Sequence, residues 1–430
     1  MFESSVMKVA MSGQGVVGRR SFLRGIGLGA SGLVGLSFTD LMAVHAEDLR
    51  KRQMACILLW MGGGPSQLDT FDPKPGTDSG GETRAIDTSV PGIQVAHHFP
   101  QVARVMKDVA LIRSMTNKEG NHQRATYQMH TGYTPSGTVK HPNFGSVVAA
   151  ELGDPKFDLP HIVCIGRDDT TNAGILGVKY EAFRVPDPLK PPLNTSLSVP
   201  SGRFVRRLNL MHSLEVGGFG NSGGLDRVKE HHEIYKQTAS MVLSPHMRAF
   251  DVASEDPKTR ASYGETPFGQ GCLLARRLVE AGVTFVEVRS NGWDNHANVT
   301  DAVAKNAASV DPGFGSLVAD LKRRGMLDRT LVVWMGEFGR TPKINPGAGR
   351  DHFPRVFSVA LAGGGVKGGQ VIGASTPDGS GVKDRPVNVT DLLSSFCRSL
   401  KIDPKKENIS PQGRPIKVVD GGQPIPELFA

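Results

Sequence analysis

Apolar runs that alternate with helical patterns organise most of the chain. Continuous apolar stretches, typical of buried parallel strands, lie at 54–60, 108–112, 162–165, 283–288, 330–335 and 356–361. Apolar residues at helical spacing lie between them, at about 144–152, 226–250, 268–281, 313–325 and 390–400. This alternation predicts an α/β fold with a mainly parallel central sheet flanked by helices.

Two segments depart from this pattern. Prolines and then glycines crowd residues 183–225, which predicts an irregular surface insertion around one short helix near 203–213. From about residue 403 the chain is again rich in proline, and we expect an extended tail that packs on the surface. Residues 47–430 are therefore predicted to form a single domain with one insertion and a C-terminal tail.

The first 46 residues have the pattern of an export signal. Arg19 and Arg20 precede Phe22 and Leu23, and a glycine-rich apolar stretch follows at 25–38. A bilayer-spanning helix needs about 20 residues, so this shorter stretch predicts no stable membrane span. The pattern indicates a twin-arginine signal peptide with cleavage near Ala46, a periplasmic or secreted protein, and the twin-arginine translocase as a partner during export. That route exports folded proteins, which favours a protein that carries a metal or cofactor.

Composition excludes several other classes. A chain of 430 residues with 39% hydrophobic and 21% charged residues is typical of a globular protein, and a mean hydropathy of −0.21 excludes a polytopic membrane protein. The net charge of +8 includes no dense basic run, and only 6% of residues are aromatic, so nucleic-acid binding is not expected. No close pair occurs among the cysteines, which predicts buried thiols at Cys56, Cys164, Cys272 and Cys397.

Polar residues follow the predicted strands at their carboxyl ends, where open α/β sheets place ligand sites. Carboxylates and imidazoles recur at these positions, and such a set suits Zn, Mn, Mg or Ca better than a thiolate site would. The candidates are Asp69 after the first strand, His122 at a helix start after the second, Asp294 and His296 after 283–288, and Glu337 and then His352 after 330–335.

Other common ligand motifs lack their main signal. The glycine runs at 62–64 and 363–369 are not followed by the Lys-Ser/Thr pair of a phosphate-binding loop. A Gly-x-Gly-x-x-Gly motif after the first strand and a Gly-x-Ser-x-Gly turn are likewise missing, so dehydrogenase and α/β-hydrolase functions are not favoured. The glycine runs are better explained as tight turns.

Six segments contain the candidate residues and the glycine runs: GGGPSQLDTFDPKPG (62–76), NHQRATYQMHTG (121–132), GWDNHAN (292–298), LDRTLVVWMGEFGRTPKIN (327–345), GRDHFP (349–354) and LAGGGVKGG (361–369). Through these segments the chain resembles the bacterial domain-of-unknown-function family 1501, which is grouped with the alkaline-phosphatase and sulfatase superfamily. The resemblance extends over about 60–400. It implies an alkaline-phosphatase-like fold and hydrolysis of a phosphate or sulfate ester of a small molecule or polysaccharide, with two divalent ions.

The resemblance also implies roles for the candidate residues. Asp69 and Glu337 fall where the superfamily has ligands of its first strand and of a late strand, and Phe338 stands where a histidine ligand is expected. Asp294, His296 and His352 resemble the set for the other ion. His122 falls near the usual covalent nucleophile and is expected to be a metal ligand or an acid–base group.

This departure at position 122 has a mechanistic consequence. Without a hydroxyl there, hydrolysis would need a water activated by a metal, or another hydroxyl such as Ser114 or Thr116. No cysteine begins a formylglycine motif. Arg124, Arg340 and Arg350 are expected to bind the oxygens of the substrate. The alternative is a secreted binding or assembly protein that kept the fold and its metals without catalysis.

Overall fold

A central eight-stranded sheet dominates the computed structural model, which describes residues 53–167, 172–214 and 225–430. The predicted signal peptide lies outside these residues. The strands are β1 (Ala55–Gly62), β2 (Ala85–Asp87), β3 (Gln94–Ala96), β4 (Val109–Met115), β5 (Ile162–Ile165), β6 (Phe183–Val185), β7 (Phe285–Asn291), β8 (Thr330–Met335), β9 (Gly339–Arg340), β10 (His352–Phe353), β11 (Phe357–Ala362), β12 (Gln370–Ile372), β13 (Ala374–Ser375), β14 (Val382–Asp384), β15 (Glu407–Ile409) and β16 (Pro415–Lys417).

The helices connect these strands across both faces of the sheet. They are α1 (Pro100–Arg104), α2 (His122–Thr131), α3 (Phe144–Leu152), α4 (Ser201–Leu214), α5 (Leu225–Leu243), α6 (Pro257–Ser262), α7 (Pro267–Ala281), α8 (Val299–Arg323) and α9 (Val389–Leu400).

The sheet order is β12-β4-β11-β8-β1-β7-β5-β6. Strand β11 runs antiparallel to both of its neighbours, and all the other pairings in this sheet are parallel. The predicted α/β fold with a mainly parallel sheet is therefore confirmed, and the expectation that 356–361 is a parallel strand is wrong. As a result, β4, β8, β1 and β7 all end at the same edge.

Alternation along β1 explains why the core has two layers. Ile57 and Leu59 face one side of the sheet and join a cluster with α1, α7 and α8, whereas Leu58 and Trp60 face the other and join a cluster with α2, α3 and α9. A strand covered on both faces reads as a continuous apolar run. Both faces of the sheet are therefore covered, and the polar loops lie at the ends of its strands.

Most predicted elements agree with the structure, and the differences have local causes. The segments 144–152, 162–165 and 330–335 coincide with α3, β5 and β8. Helix α8 begins at Val299, well before the predicted 313, because it continues through Pro312 in its interior. Strand β6 lies inside the proposed insertion, where it extends the sheet beside β5.

The tail and the insertion differ in how they pack. Val418, Val419, Ile425 and Leu428 of the tail are buried in the cluster that contains α9. Helix α4 of the insertion has no buried residue. All four cysteines are buried thiols, as the sequence predicts. Within the described ranges, no helix is both long and apolar enough to cross a membrane.

Candidate metal centre

Loops from four parallel strands meet at the carboxyl edge of the sheet. The loop after β1 contributes Gly63, the segment after β4 leads into α2 and His122, and the loop after β7 contributes Asp294. Glu337 follows β8 directly. The β9–β10 hairpin then returns the chain, so that His352 pairs with Arg340 across the two strands. Sheet topology therefore brings together residues that are far apart in the chain, such as Gly63 and Glu337, which are separated by 274 positions.

Three imidazole nitrogens surround one carboxylate oxygen in this site. The Oδ1 atom of Asp294 lies 3.0 Å from His296 Nε2, 3.2 Å from His352 Nε2 and 3.3 Å from His122 Nε2. His296 Nε2 and His352 Nε2 are 3.0 Å apart. Candidate ligand atoms of His122, Asp294 and His352 all lie within 4.8 Å of one another. The structure thus brings four of the six predicted ligands into one cluster.

Each imidazole is held at its other ring nitrogen by an oxygen. His122 Nδ1 lies 2.6 Å from Glu337 Oε1, and His296 Nδ1 lies 2.9 Å from Asp351 Oδ1. His352 Nδ1 lies 2.9 Å from the carbonyl oxygen of Gly120. Because these oxygens accept hydrogen bonds, each Nδ1 is the protonated nitrogen, and each Nε2 of a neutral ring offers its lone pair to the cluster.

The side chain of Phe338 packs against two of these rings. Its side chain is fully buried, and its ring centroid lies 4.9 Å from that of His122 and 4.7 Å from that of His352. The resemblance places a ligand at this position, and the structure places an apolar surface there. Phe338 therefore restricts how His122 and His352 tilt without itself supplying an electron pair.

The glycine loop after β1 approaches the site too closely for any side chain. Gly63 has a φ of +114°, and a Cβ on it would lie 2.4 Å from the backbone nitrogen of Asp294. A Cβ on Gly64 would lie 2.7 Å from the Phe338 ring. This close approach lets the Gly63 N–H donate to Glu337 Oε1 at 2.9 Å. The tight-turn interpretation of this run explains its geometry.

Arg340 connects the loops of the site and is itself fully buried. Its Nη2 donates to Asp294 Oδ1 at 2.6 Å and to the carbonyl of Gly63, and its Nε donates to the carbonyl of Gly64 at 2.9 Å. Its Nη1 donates to the carbonyl of Arg350 at 3.1 Å. These contacts fix Asp294 relative to the glycine loop, and they use four of the five N–H groups of the guanidinium.

Charges around the cluster set its protonation. Burial opposes ionisation of Asp294, but the hydrogen bond and positive charge of Arg340 dominate and lower its pKa to about 2. Burial lowers the pKa of His352, which favours its neutral form. The hydrogen bond to Glu337 raises the pKa of His122. A metal ion therefore competes with a proton for His122, and acid pH weakens binding.

These residues fit a divalent metal ion. Imidazole nitrogens with a carboxylate are ligands for Zn and for other borderline ions, and metal-binding histidines commonly donate their second nitrogen to an oxygen, as all three do here. Within the cluster, His122 Nε2 is a buried atom without a hydrogen-bond partner. A bound cation would satisfy this atom, whereas without a cation it would stay buried and unpaired at a cost in free energy.

Asp69 and Arg350 form a separate buried pair. Arg350 Nε donates to Asp69 Oδ2 at 2.8 Å, and Thr83 Oγ1 donates to Asp69 Oδ1 at 2.5 Å. The structure therefore joins Asp69 to a guanidinium and a hydroxyl, and its ligand role stays a prediction. Glu337 likewise uses Oε1 for His122 and Gly63, so it supports a ligand from behind the cluster.

The remaining predicted residues have partners away from the cluster. Arg124 is exposed and makes two hydrogen bonds to Glu119, at 2.8 and 2.7 Å. Ser114 Oγ donates to the carbonyl of Arg385 at 2.6 Å, and Thr116 Oγ1 donates to the carbonyl of Val387 at 3.2 Å. Both hydroxyls thus tie β4 to the segment before α9.

Sequence reasoning missed the residues that orient the histidines. Asp351 holds His296, and Asn345 Nδ2 donates to the carbonyl of His296 at 3.0 Å. Asp351 directly precedes His352, so an acidic residue beside a predicted ligand was the available signal. The contribution of Gly120 is a backbone carbonyl, which no side-chain pattern indicates.

A family model described as a protein of unknown function, DUF1501, matches residues 53–429. The chain belongs to this family. A search of curated proteins finds no match.

Several solved structures are similar to this member of DUF1501. The complex of Ps i-CgsB with k-i-k-neocarrahexaose has 13% identity over 81% of this chain and 72% of that chain, with a TM-score of 0.40. The PsFucS1 sulfatase from Pseudoalteromonas sp. has 14% identity, coverage of 84% and 70%, and a TM-score of 0.40. A TAB5 alkaline phosphatase mutant with bound Mg has 13% identity, coverage of 82% and 98%, and a TM-score of 0.36.

Proposed function

We propose that this protein is an exported, metal-dependent hydrolase of phosphate or sulfate esters that attacks with water and not with a side chain. The observation that carries the proposal is the convergence of three imidazole Nε2 atoms on Asp294, each ring being held by an oxygen at Nδ1. A bound divalent ion supplies Lewis-acid polarisation of an ester oxygen and lowers the pKa of a coordinated water.

The exposure of the cluster supports catalysis over a structural role. The side chains of Asp294 and His296 are 45% and 46% exposed, and those of His122 and His352 are 32% and 28% exposed. Structural metal sites are closed by their ligands, whereas catalytic sites keep one side open to substrate. A substrate could therefore reach this cluster from solvent.

His122 has the position of a metal ligand or, alternatively, of an acid–base residue. It is the first residue of α2, and its Nδ1 lies 2.6 Å from Glu337 Oε1. The helix N-terminus favours an anionic substrate at this point. Ser114 and Thr116 donate to backbone carbonyls, which supports a water nucleophile. The substrate class and the periplasmic or secreted location belong to the same proposal.

A second candidate function is non-catalytic binding by a secreted metal-containing protein. It is favoured by the engagement of all three predicted substrate-binding arginines with protein oxygens: Arg124 with Glu119, Arg340 with Asp294 and Arg350 with Asp69. A ligand anion would then depend on the ion and the helix terminus alone.

The two candidates are separated by an ester panel with protein that carries its natural metal. The proposal expects hydrolysis of a phosphate or sulfate ester that stops on chelation, with inversion at a chiral phosphate and no phosphoenzyme. His122→Ala should lower kcat by about a hundredfold or more. His246→Ala, which removes a similarly exposed imidazole paired with Asp158, is the matched control. Metal-loaded protein without activity on any ester would favour the binding protein, and trapped phosphothreonine at Thr116 would reject the water route.

A further inference from the structure

The environment of Asp69 bears on how many metal ions the site holds. The superfamily resemblance implies two ions, with Asp69 as a ligand of one of them. Asp69 and Arg350 have side chains that are 4% and 0% exposed, and their atoms meet at 2.8 Å. The Asp69 carboxylate is therefore already paired with a cation, the guanidinium of Arg350.

Four of the five N–H groups of the Arg350 guanidinium donate to protein oxygens. Besides Asp69, it donates from Nη1 to the carbonyls of Thr341 and Pro342 at 3.0 and 2.5 Å, and from Nη2 to the carbonyl of Ser79 at 2.7 Å. An ion that replaced it would leave these carbonyls without donors and a buried positive charge without its partner. Removing one member of a buried ion pair is strongly unfavourable.

The charge of Arg350 points the same way. Its guanidinium is buried against Asp69, so a divalent ion at Asp69 would place a second cation beside a buried positive charge.

We propose that the site holds one divalent ion, at His122, Asp294, His296 and His352, and that Arg350 takes the place of the second ion at Asp69. This inference rests on the metal dependence proposed above. The ester is then bound by one ion, and Asp69 acts as a positioning residue that fixes the β9–β10 loop through Arg350. Residues 341–351 are held to the segment after β1 by this pair and not by a metal.

Anomalous diffraction from crystals of the mature protein saturated with Zn²⁺ or Mn²⁺ tests the inference. One anomalous peak within bonding distance of Asp294 and His352 is expected, with Arg350 Nε still bound to Asp69. A second peak beside Asp69, or no peak at all, would overturn it. Ester inactivity in crystals or solution with a single bound ion would reject the proposed hydrolase but leave the single-ion site intact.

Metal content of variants gives an independent measurement. Asp69→Asn should keep one ion per chain and lower Tm, because it leaves Arg350 without its ionic partner. Asp294→Asn should lose most of the bound ion. If Asp69→Asn fails to fold, the wild-type diffraction measurement decides alone. A folded Asp69→Asn variant that loses an ion would show that Asp69 is a ligand.

Discussion

At the scale of single residues, the second nitrogen of each histidine matters as much as the first. Glu337, Asp351 and the Gly120 carbonyl each bind one Nδ1, which leaves all three Nε2 atoms directed at Asp294. Such oxygens orient the ligand and increase its basicity. The site is therefore preorganised by residues that need not touch a metal.

Glu337→Gln is expected to weaken metal binding about 10- to 100-fold, because the amide loses the charge that supports His122. A competition titration against a chelator, with Zn²⁺ as the probe, measures this loss. Glu119→Gln is the matched control, since Glu119 binds Arg124 outside the cluster. Equal affinity of Glu337→Gln and the parent would contradict the role assigned to Glu337.

The sequence predicts which residues reach the site better than it predicts their partners. Asp294, His296, His352 and His122 follow strand ends, and strand order alone brings them to one edge. The pairing of Asp69 with Arg350 depends on how the β9–β10 loop folds back across about 280 positions. No local pattern contains that information, so a buried ion pair and a metal ligand look alike in the sequence.

At the scale of elements, the start of α2 links helix stability to the site. Asn121 caps this helix by accepting a hydrogen bond from the Arg124 N–H at 3.2 Å, and His122 is the next residue. The cap therefore fixes the backbone from which one ligand projects.

Asn121→Ala is expected to lower the free energy of unfolding by about 1 kcal/mol and also to weaken Zn²⁺ binding. Asn388→Ala is a matched control, because Asn388 caps α9 through the Asp391 N–H at 2.9 Å, on a helix without a predicted ligand. Chemical denaturation and a chelator titration measure the two quantities. If Asn121→Ala, like Asn388→Ala, lowers the free energy of unfolding but leaves Zn²⁺ affinity unchanged, the cap does not contribute to the metal site.

Element boundaries were predictable where the hydrophobic period and the length of a segment indicated the same type of element, as for α3, β5 and β8. The direction of β11 was not, because an apolar run of six residues is the same in either orientation. The early start of α8 was missed because Pro312 and Gly313 normally end a helix. Here Asp311 accepts hydrogen bonds from the N–H groups of Gln101 and Val102, so α8 and α1 support each other.

At the scale of the whole molecule, the residues that stabilise the fold lie apart from the residues of the candidate site. Two apolar layers cover the faces of the sheet, and the polar loops collect at one edge. This separation explains why composition and periodicity predicted the α/β fold, while the site required long-range pairing. The proposed export route belongs to the same scale, because the twin-arginine pathway would suit a chain that folds and takes up a metal before export.

Replacing Arg19 and Arg20 together by Lys is expected to leave precursor in the cytoplasm. The reason is that the pair precedes a short, weakly apolar segment that suits this route. Fractionation followed by immunoblotting measures the distribution, and Arg24→Lys, outside the pair, is the control. Unchanged export of the double variant would reject the twin-arginine assignment.

We propose that His122, Asp294, His296 and His352 form a metal centre. Elemental analysis of protein purified after export from its native host tests this proposal, with His352→Ala compared to the parent and His246→Ala as a control. The parent and the control should carry a divalent ion, and His352→Ala should lose most of it. Equal metal content in His352→Ala and the parent, or a parent without metal, would contradict the claim.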